Sequence, residues 1–162
     1  GEIRDLETIR TAITAAETGH LVLTTLHAGD CVGSIERLIS VFPADEQDGI
    51  RRQLALVLRG VVAQRLLPAV GQEAGRLRVA CCEILMATPA VANLVATGRS
   101  AQIYSAMETG TGEGMQTFEQ DLARLWVTRR ISETTAQTMA RHPQTLRERA
   151  AALRSRLKGG QP

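Results

Sequence analysis

The amino-acid sequence predicts an α/β fold, in which a lobe containing a small sheet is followed by a helical region. Apolar residues recur at helical spacing in several segments, whereas residues 20–26 are apolar or β-branched without a polar helical face. Residues 64–86 combine two extended runs around a glycine-containing turn, which is typical of a β-hairpin. The predicted order is β-α-β-α-α, then a hairpin, then helices.

The N-terminal elements are predicted from capping residues and apolar spacing. Asp5 is suited to cap a helix, and Gly19 is suited to end it. Residues 20–26 then predict a short buried strand. A helix is expected near residues 32–42, and Pro43 restarts the chain into another helix. The apolar stripe of this last helix is predicted to comprise Ile50, Leu54, Val57, Leu58 and Val61.

The C-terminal half is predicted to contain the hairpin and then only helices. Gly71 and Gly75 are expected in the hairpin turn. Gly110 to Gly114 is interpreted as a connecting loop, since it lacks the lysine of a phosphate-binding loop and contains Glu113. Helices are expected near residues 90–96, 101–107, 117–128 and 133–140, with a further helix after Pro143.

The composition is that of a globular domain with a core. Of 162 residues, 44% are hydrophobic and 22% charged, and the net charge of +2 gives no argument for nucleic acid. Aromatic residues make up 2%, too few for a base-stacking platform. The chain begins at Gly1 without a charged and apolar leader, so we expect no secretory signal. The three cysteines, which lack metal-ligand spacing, are expected to be reduced.

Glu2 and His27 are predicted at the ends of two successive strands, at the sheet edge where α/β folds bind ligands. There a carboxylate can orient water for attack on a phosphoanhydride, and an imidazole can donate to a γ-phosphate oxygen. Either Thr24 or Thr25 can assist, since alternation turns one of them to the site. His20 lies roughly 23 Å from His27 in an extended chain, too far for a shared metal. Each residue also fits a purely structural role.

Two segments resemble motifs of a known family. Residues 1–8 (GEIRDLET) resemble the Walker B segment of the secretion-superfamily ATPases, and residues 18–27 (TGHLVLTTLH) resemble their His box. Further segments are similar to the pilus-retraction, or twitching-motility, branch of PilT-type motors within the type II/IV secretion (GspE/PulE) ATPase superfamily. These segments are residues 41–47, 62–66, 83–90 and 104–117, so the resemblance covers roughly residues 1–142.

The resemblance implies an architecture and a set of ligands. It implies the C-terminal part of a RecA-like P-loop ATPase core at residues 1–87, a small all-helical subdomain at 88–142 and a basic tail at 143–162. It also implies ATP with Mg²⁺, a homohexamer, and an inner-membrane pilus platform protein as partner. The expected location is the cytoplasmic face of the inner membrane, and no nucleic-acid partner is expected.

The resemblance also assigns roles to residues. Glu2 matches the catalytic glutamate, and His20, His27 and Thr25 are assigned to sensing of the nucleotide γ-phosphate. The family's phosphate-binding loop is not found in these 162 residues, so we expect the chain alone not to hydrolyse ATP.

A third motif departs from the family. Residues 90–95 resemble the retraction motif Ala-Ile-Arg-Asn-Leu-Ile, but Ala92 replaces its arginine. An apolar stripe through Ala90 and Leu94 is expected to remain while the charge is lost, so a packed helix is an equal alternative. The six residues are Ala90, Val91, Ala92, Asn93, Leu94 and Val95.

Other functions remain open at the level of sequence. A pilus-extension or type II secretion motor commonly carries a four-cysteine zinc insertion, which is missing between Leu67 and Cys81. A non-catalytic assembly module is the alternative from another class. The tail after Pro143 predicts a basic amphipathic helix that touches a partner or an anionic membrane, or else a solvated terminal helix.

Overall fold

The structure, a computed structural model, describes residues 1–71 and 77–159. Its elements are α1 (Leu6–Glu17), α2 (Cys31–Ser40), α3 (Ala44–Val57), β1 (Gly60–Pro68), β2 (Arg78–Met86), α4 (Pro89–Ala96), α5 (Ile103–Thr109), α6 (Phe118–Val127), α7 (Glu133–Met139) and α8 (Pro143–Gly159). Short 3₁₀ turns, Ser100–Gln102 and Gly110–Glu113, flank α5. In the part of the chain that is described, no helix is long and apolar enough to cross a bilayer.

Helix α1 begins and ends as the sequence predicts. The Asp5 carboxylate accepts a hydrogen bond of 2.8 Å from the Thr8 amide, one of the first-turn amides that lack a helical partner. Gly19 follows the helix with a φ of 95°, a conformation that favours glycine. Ile9 and Ile13 are buried one turn apart, so they form the inner face of the helix.

The strand predicted at residues 20–26 does not form. Among the described residues, its pairing is limited to one parallel bridge between Glu2 and Thr25. The Leu21 and Leu23 side chains are each 80% exposed, so the predicted burial is also wrong. The physical reason is that a strand needs a hydrogen-bonded neighbour along its length, and the described chain supplies one only near Glu2.

Helices α2 and α3 follow the predicted apolar spacing with one correction. Asp30 caps α2 by accepting a hydrogen bond from the Gly33 amide. Helix α3 ends at Val57, because Leu58 takes an extended conformation and leads the chain into β1. Val61, predicted on the stripe of this helix, therefore lies in β1. Buried apolar side chains of these helices and their connection include Ile35, Ile39, Phe42, Ile50 and Leu54.

An ionic network joins three elements in this part of the chain. The Arg51 guanidinium on α3 donates two hydrogen bonds of 2.8 Å to the two carboxylate oxygens of Glu36 on α2. The Ser100 hydroxyl, in a 3₁₀ turn, donates to the same carboxylate. The hydrogen bond from Arg51 to the Glu36 carboxylate holds the pKa of Glu36 below its usual range. The paired geometry favours the ionised form and fixes α2 against α3.

The predicted β-hairpin is present. Backbone bonds from Ala87 to Arg59 and from Ala69 to Leu77 close its two ends and define antiparallel pairing. Burial alternates along β2, where Val79, Cys81, Glu83 and Leu85 are buried. Cys81 is buried whereas the neighbouring Cys82 is half-buried, as expected for adjacent strand residues, and all three cysteines are free thiols. Gly75 lies outside the described residues.

Two compact units divide the chain. Unit 1 comprises residues 1–63 and 84–115, and unit 2 comprises residues 64–83 and 116–162. The units differ in extent from the predicted segments 1–87, 88–142 and 143–162, which stay predictions as functional domains. Core residues of unit 1 include Ile35, Ile39, Val91, Val95, Ile103 and Met107. Core residues of unit 2 include Leu67, Phe118, Leu122, Leu125, Ile131 and Leu146.

Unit 2 contains buried carboxylates that bind backbone amides. Asp121 on α6 accepts a hydrogen bond of 2.8 Å from the Cys82 amide and one of 2.7 Å from Arg124. Glu119, fully buried, accepts from the amides of Arg141 and His142 at 3.0 and 3.2 Å. These bonds offset the cost of burying charge and connect α6 to β2 and to the start of α8.

The close approach of Gly110 to Met115 predicts a site-specific loss of stability. A Cβ atom at Gly110 would lie 2.8 Å from the sulfur of Met115, whose side chain is buried. We expect Gly110→Ala to lower the free energy of unfolding by about 1–3 kcal/mol in urea titrations, as overpacking does. At Gly112 an added Cβ meets no atom within 4 Å, so Gly112→Ala is the matched control and should not destabilise the chain. Equal midpoints for the two variants would contradict the packing at Gly110.

The Glu36–Arg51 pair predicts a pH-dependent contribution to stability. Because the pKa of Glu36 is lowered from 4.5 in the folded chain, its stabilisation is present above about pH 4.5 and is lost as pH falls through the folded value. Glu36→Gln should therefore cost about 1 kcal/mol at neutral pH, a value limited by solvent screening because the Glu36 side chain is 39% exposed. The difference from wild type should vanish in acid.

The more exposed Arg10–Glu46 pair provides the control for that measurement. Arg10→Gln should change the unfolding free energy less than Glu36→Gln does. A Glu36→Gln chain as stable as wild type at neutral pH would show that the pair adds nothing.

Candidate functional site

A parallel backbone contact brings the two predicted motifs together in unit 1. The Ile3 amide donates a hydrogen bond of 3.0 Å to the Thr25 carbonyl, within the bridge between Glu2 and Thr25. The Thr24 hydroxyl donates to the Gly1 carbonyl at 2.7 Å. Two short segments far apart in sequence thus lie side by side, as the predicted sheet edge required.

The Glu2 carboxylate forms the centre of the candidate site. Its Oε1 lies 3.2 Å from Nε2 of His27, and its Oε2 accepts a hydrogen bond of 2.6 Å from Arg4. The Glu2 side chain is 24% exposed whereas that of His27 is 85% exposed. The structure therefore places a partly sheltered carboxylate beside an imidazole that is open to solvent, in reach of a bound molecule.

The electrostatics of this cluster favour an ionised carboxylate. The hydrogen bond from Arg4 lowers the pKa of Glu2, and the charges of Arg4, His27 and Arg37 act in the same direction. In return, Glu2 raises the pKa of Arg4. A carboxylate in this state can accept a proton from water or position it by hydrogen bonding.

Arg4 and Arg37 were not among the residues singled out in the sequence. The position of Arg4 could have been inferred from the sequence. Residues i and i+2 of an extended segment share a face, and Arg4 is two residues after Glu2. Arg37 lies on α2, and its effect on Glu2 depends on tertiary packing. Sequence spacing gives no indication of that second contribution.

His20 makes its hydrogen-bond contacts with other residues than those of the Glu2 cluster. Its Nδ1 is 3.1 Å from the Thr18 hydroxyl and 3.2 Å from the Ala15 carbonyl, at the C-terminal end of α1. Thr25, by contrast, is brought directly beside Glu2 by the bridge. The assignment of His20, His27 and Thr25 to phosphate sensing stays a prediction, and the geometry groups only His27 and Thr25 with Glu2.

The retraction-like motif lies on helix α4. Val91 and Val95 are fully buried, while Ala90 and Asn93 are exposed. Ala92 and Leu94 are half-buried, so the inward stripe runs through the two valines instead of the predicted Ala90 and Leu94. The reason is tertiary packing: α4, which Thr88 caps by accepting from the Val91 amide, packs against α3 and α5. A functional role of the motif stays a prediction.

The described residues fit only one side of a metal–nucleotide site. They include no group of three His, Cys, Asp or Glu side chains that could hold a metal ion. The sequence also lacks a Gly-x-x-x-x-Gly-Lys-[Ser/Thr] loop. Glu2 and His27 supply a carboxylate and an imidazole, which suit the attacking-water and γ-phosphate side. The described residues therefore do not by themselves fit Mg²⁺ or the phosphates of a nucleotide.

The α/β fold and the segments that resemble family motifs can be compared with a family of secretion proteins. The chain belongs to the type II/IV secretion system protein family, whose model matches residues 1–157. The resemblance seen in residues 1–8 and 18–27 is therefore confirmed at the level of the family.

Individual relatives extend this finding. The type IV pilus retractation ATPase PilT of Pseudomonas aeruginosa is 44% identical over 144 residues, which cover 89% of this chain and 41% of that protein. A crystal structure of the pilus retraction motor PilT with bound ADP aligns with a TM-score of 0.78 and 37% identity, over 91% of this chain and 40% of that one. This likeness confirms the predicted α/β class.

A more distant relative comes from a secretion machine. The type II secretion system protein HxcR of P. aeruginosa is 32% identical over 148 residues, covering 78% of this chain and 29% of that protein. The chain thus spans about two fifths of the length of the PilT relatives. What the whole proteins do is carried to this chain only as a proposal.

The contact between Arg4 and Glu2 predicts a measurable shift in acidity. We expect Arg4→Gln to raise the pKa of Glu2 toward its ordinary value of 4.5, because the strongest hydrogen bond to the carboxylate is lost. The measurement is an NMR titration of the Glu2 side-chain carboxyl. Arg37→Gln is the control and should shift the same pKa less, since the charge of Arg37 lowers the pKa of Glu2 less than Arg4 or His27 does. A Glu2 pKa that does not respond to Arg4→Gln would contradict this contact.

Proposed function

We propose that this chain is the C-terminal portion of an ATP-hydrolysing motor subunit of the PilT type, with part of a RecA-like core followed by a helical subdomain. The observation that carries the proposal is the pairing of Glu2 with His27 at 3.2 Å across two bridged segments. These residues stand in the segments that resemble the Walker B motif and the His box. The identity with PilT over most of the chain supports the same function.

Glu2 acts in this proposal on the attacking water. Ionised and held by Arg4, the carboxylate positions the water and takes up its proton as the water attacks the γ-phosphorus. The bond from the γ-phosphorus to the β–γ bridging oxygen breaks, and ADP is the leaving group. His27, beside it, donates from its imidazole to a γ-phosphate oxygen, and Thr25 lies at the same edge. His20 is assigned to the same sensing role through the resemblance alone. ATP is the substrate and supplies the phosphoanhydride, and Mg²⁺ would neutralise charge on its phosphates when held by residues of the intact subunit.

An exposed apolar segment supports a core larger than this chain. Leu21 and Leu23 are each 80% exposed, and the segment borders a hollow of about 490 Å³ in unit 1. Isolated exposed leucines are ordinary, but an apolar run without polar alternation is typical of an interior strand of a parallel sheet. In residues 20–26 the bridge to a neighbouring segment is at Thr25. We propose that further strands of the intact ATPase core pair with residues 20–26 and cover this hollow.

The assembly and the direction of movement are proposed from relatives. A homohexamer at the cytoplasmic face of the inner membrane, in contact with a pilus platform protein and powering pilus retraction, fits the PilT relatives. The similarity to HxcR keeps a type II secretion or pilus-extension motor as the alternative. The absence of a phosphate-binding loop from this sequence favours, for the chain taken alone, a non-catalytic assembly module. Ala92 removes a charge on which a retraction role of residues 90–95 would depend.

The catalytic proposal is tested by ATP turnover in two forms of the protein. The 162-residue chain should show no hydrolysis above background, because it lacks the lysine and amides that anchor the phosphates. The intact subunit that contains it should hydrolyse ATP, and Glu2→Gln should reduce turnover about 10²-fold or more while ATP binding is retained.

Glu7→Gln, which removes an exposed carboxylate from the first turn of α1, is the matched control and should keep full turnover. Normal hydrolysis by the intact Glu2→Gln subunit would remove Glu2 from the mechanism. Turnover by the 162-residue chain would refute the need for a separate phosphate-binding part.

The proposed larger sheet is tested by stability. In the 162-residue chain, Leu21→Ser with Leu23→Ser should change the unfolding free energy by less than about 0.5 kcal/mol, because both side chains are exposed. In the intact subunit the same change should cost about 2–5 kcal/mol per buried leucine. Leu56→Ser, at a position 75% exposed on α3, is the control. Equal small effects in both forms would show that residues 20–26 stay uncovered.

A further inference from the structure

The two units carry opposite formal charge. Unit 1 contains seven lysines and arginines against eleven aspartates and glutamates, whereas unit 2 contains twelve against six. The overall charge of +2 therefore hides a strongly basic unit 2. A charge imbalance of this size creates a potential that attracts an anionic surface.

An open hollow on unit 2 combines arginines with uncovered apolar groups. It has a volume of about 590 Å³ and lies among the end of α6, the turn that follows, the start of α7 and α8. Two arginines, Arg129 and Arg154, line this hollow, together with the acidic residue Glu133. The apolar residues on the lining are Val70, Trp126, Val127, Ile131 and Leu157.

The position of Trp126 gives this hollow an amphipathic character. The Arg154 guanidinium lies over the Trp126 ring, 4.4 Å from its centroid, so the ring is half-buried under a cation. Val70 is 54% exposed and Leu157 is 63% exposed on the same lining. Tryptophan, aliphatic side chains and long arginines at one place are the combination found where proteins contact the boundary between lipid headgroups and acyl chains.

We infer that this face of unit 2, named here the Trp126 face, binds the surface of a membrane that contains anionic phospholipids. Arg129 and Arg154 contact the headgroup phosphates, while Trp126 and Leu157 enter the headgroup–acyl boundary. The contact is peripheral and does not depend on ATP hydrolysis. The same positive charge would also attract an acidic protein segment. Binding of such a segment would not explain why Val70 and Leu157 are exposed beside Trp126.

The first test uses the single tryptophan of the chain as a reporter. Vesicles of phosphatidylcholine and phosphatidylglycerol in equal amounts should shift the emission of Trp126 to shorter wavelength and sediment with the protein. Pure phosphatidylcholine vesicles should do neither, and high salt should release the protein by screening. Equal binding to neutral vesicles, or no binding to the anionic ones at low salt, would overturn the inference.

The second test locates the surface with matched charge changes. Arg129→Asn with Arg154→Gln should weaken binding to the anionic vesicles by roughly 25-fold, about 5-fold for each arginine. Asparagine is chosen because Arg129 has a φ of 57°. Arg52→Gln with Arg99→Gln removes the same charge from exposed positions of unit 1 and should leave binding within about 2-fold of wild type.

The remaining outcomes separate the alternatives. If the double variant of unit 2 loses its helical circular dichroism, Arg129→Asn alone preserves the Arg154–Trp126 contact and should still weaken binding about 5-fold. Equal weakening by the unit 1 and unit 2 pairs would overturn the assignment to the Trp126 face. If a polyglutamate peptide shifts Trp126 emission and anionic vesicles do not, the face binds acidic protein and the membrane inference is wrong.

Discussion

The parallel contact between the first residues and Thr25 is the interaction on which the candidate site depends. Ile3 donates to the Thr25 carbonyl at 3.0 Å, and the Thr24 hydroxyl donates to Gly1 at 2.7 Å. This register turns Glu2 toward His27, and a shift of one residue would turn it to the opposite face. A very short backbone pairing thus decides which side chains meet.

Around that contact, two basic side chains hold the carboxylate in place. Arg4 and His27 lie on different oxygens of Glu2, so its orientation is fixed from two sides. The same principle recurs at Glu36, whose carboxylate binds Arg51 and Ser100 and joins elements remote in sequence. In both places a charged group is retained because its hydrogen bonds fix a geometry, and partial exposure keeps the energetic gain modest.

Unit 2 uses its charges differently. Its acidic side chains Glu119 and Asp121 are buried and satisfied by backbone amides, so they serve the packing of α6. Its arginines are placed over aromatic rings or at the surface: Arg65 lies 4.6 Å from the centroid of the Phe118 ring, and Arg154 lies over Trp126. With Glu83, Glu119 and Asp121 buried, basic groups outnumber acidic ones on the exterior of unit 2 and dominate its interaction with its surroundings.

The sequence alone determined the helices, the hairpin and the family, because apolar spacing, a capping residue such as Asp5, and the amino acids of residues 1–8 and 18–27 are local properties. It also placed Glu2 and His27 together, since parallel strand ends share an edge. Tertiary structure alone decided that residues 20–26 form no strand and leave Leu21 and Leu23 exposed. It also decided that Val91 and Val95 face inward, and that Arg4 and Arg37 act on Glu2. Those outcomes depend on which residues become neighbours in the folded chain, and local sequence patterns carry no information about such long-range contacts.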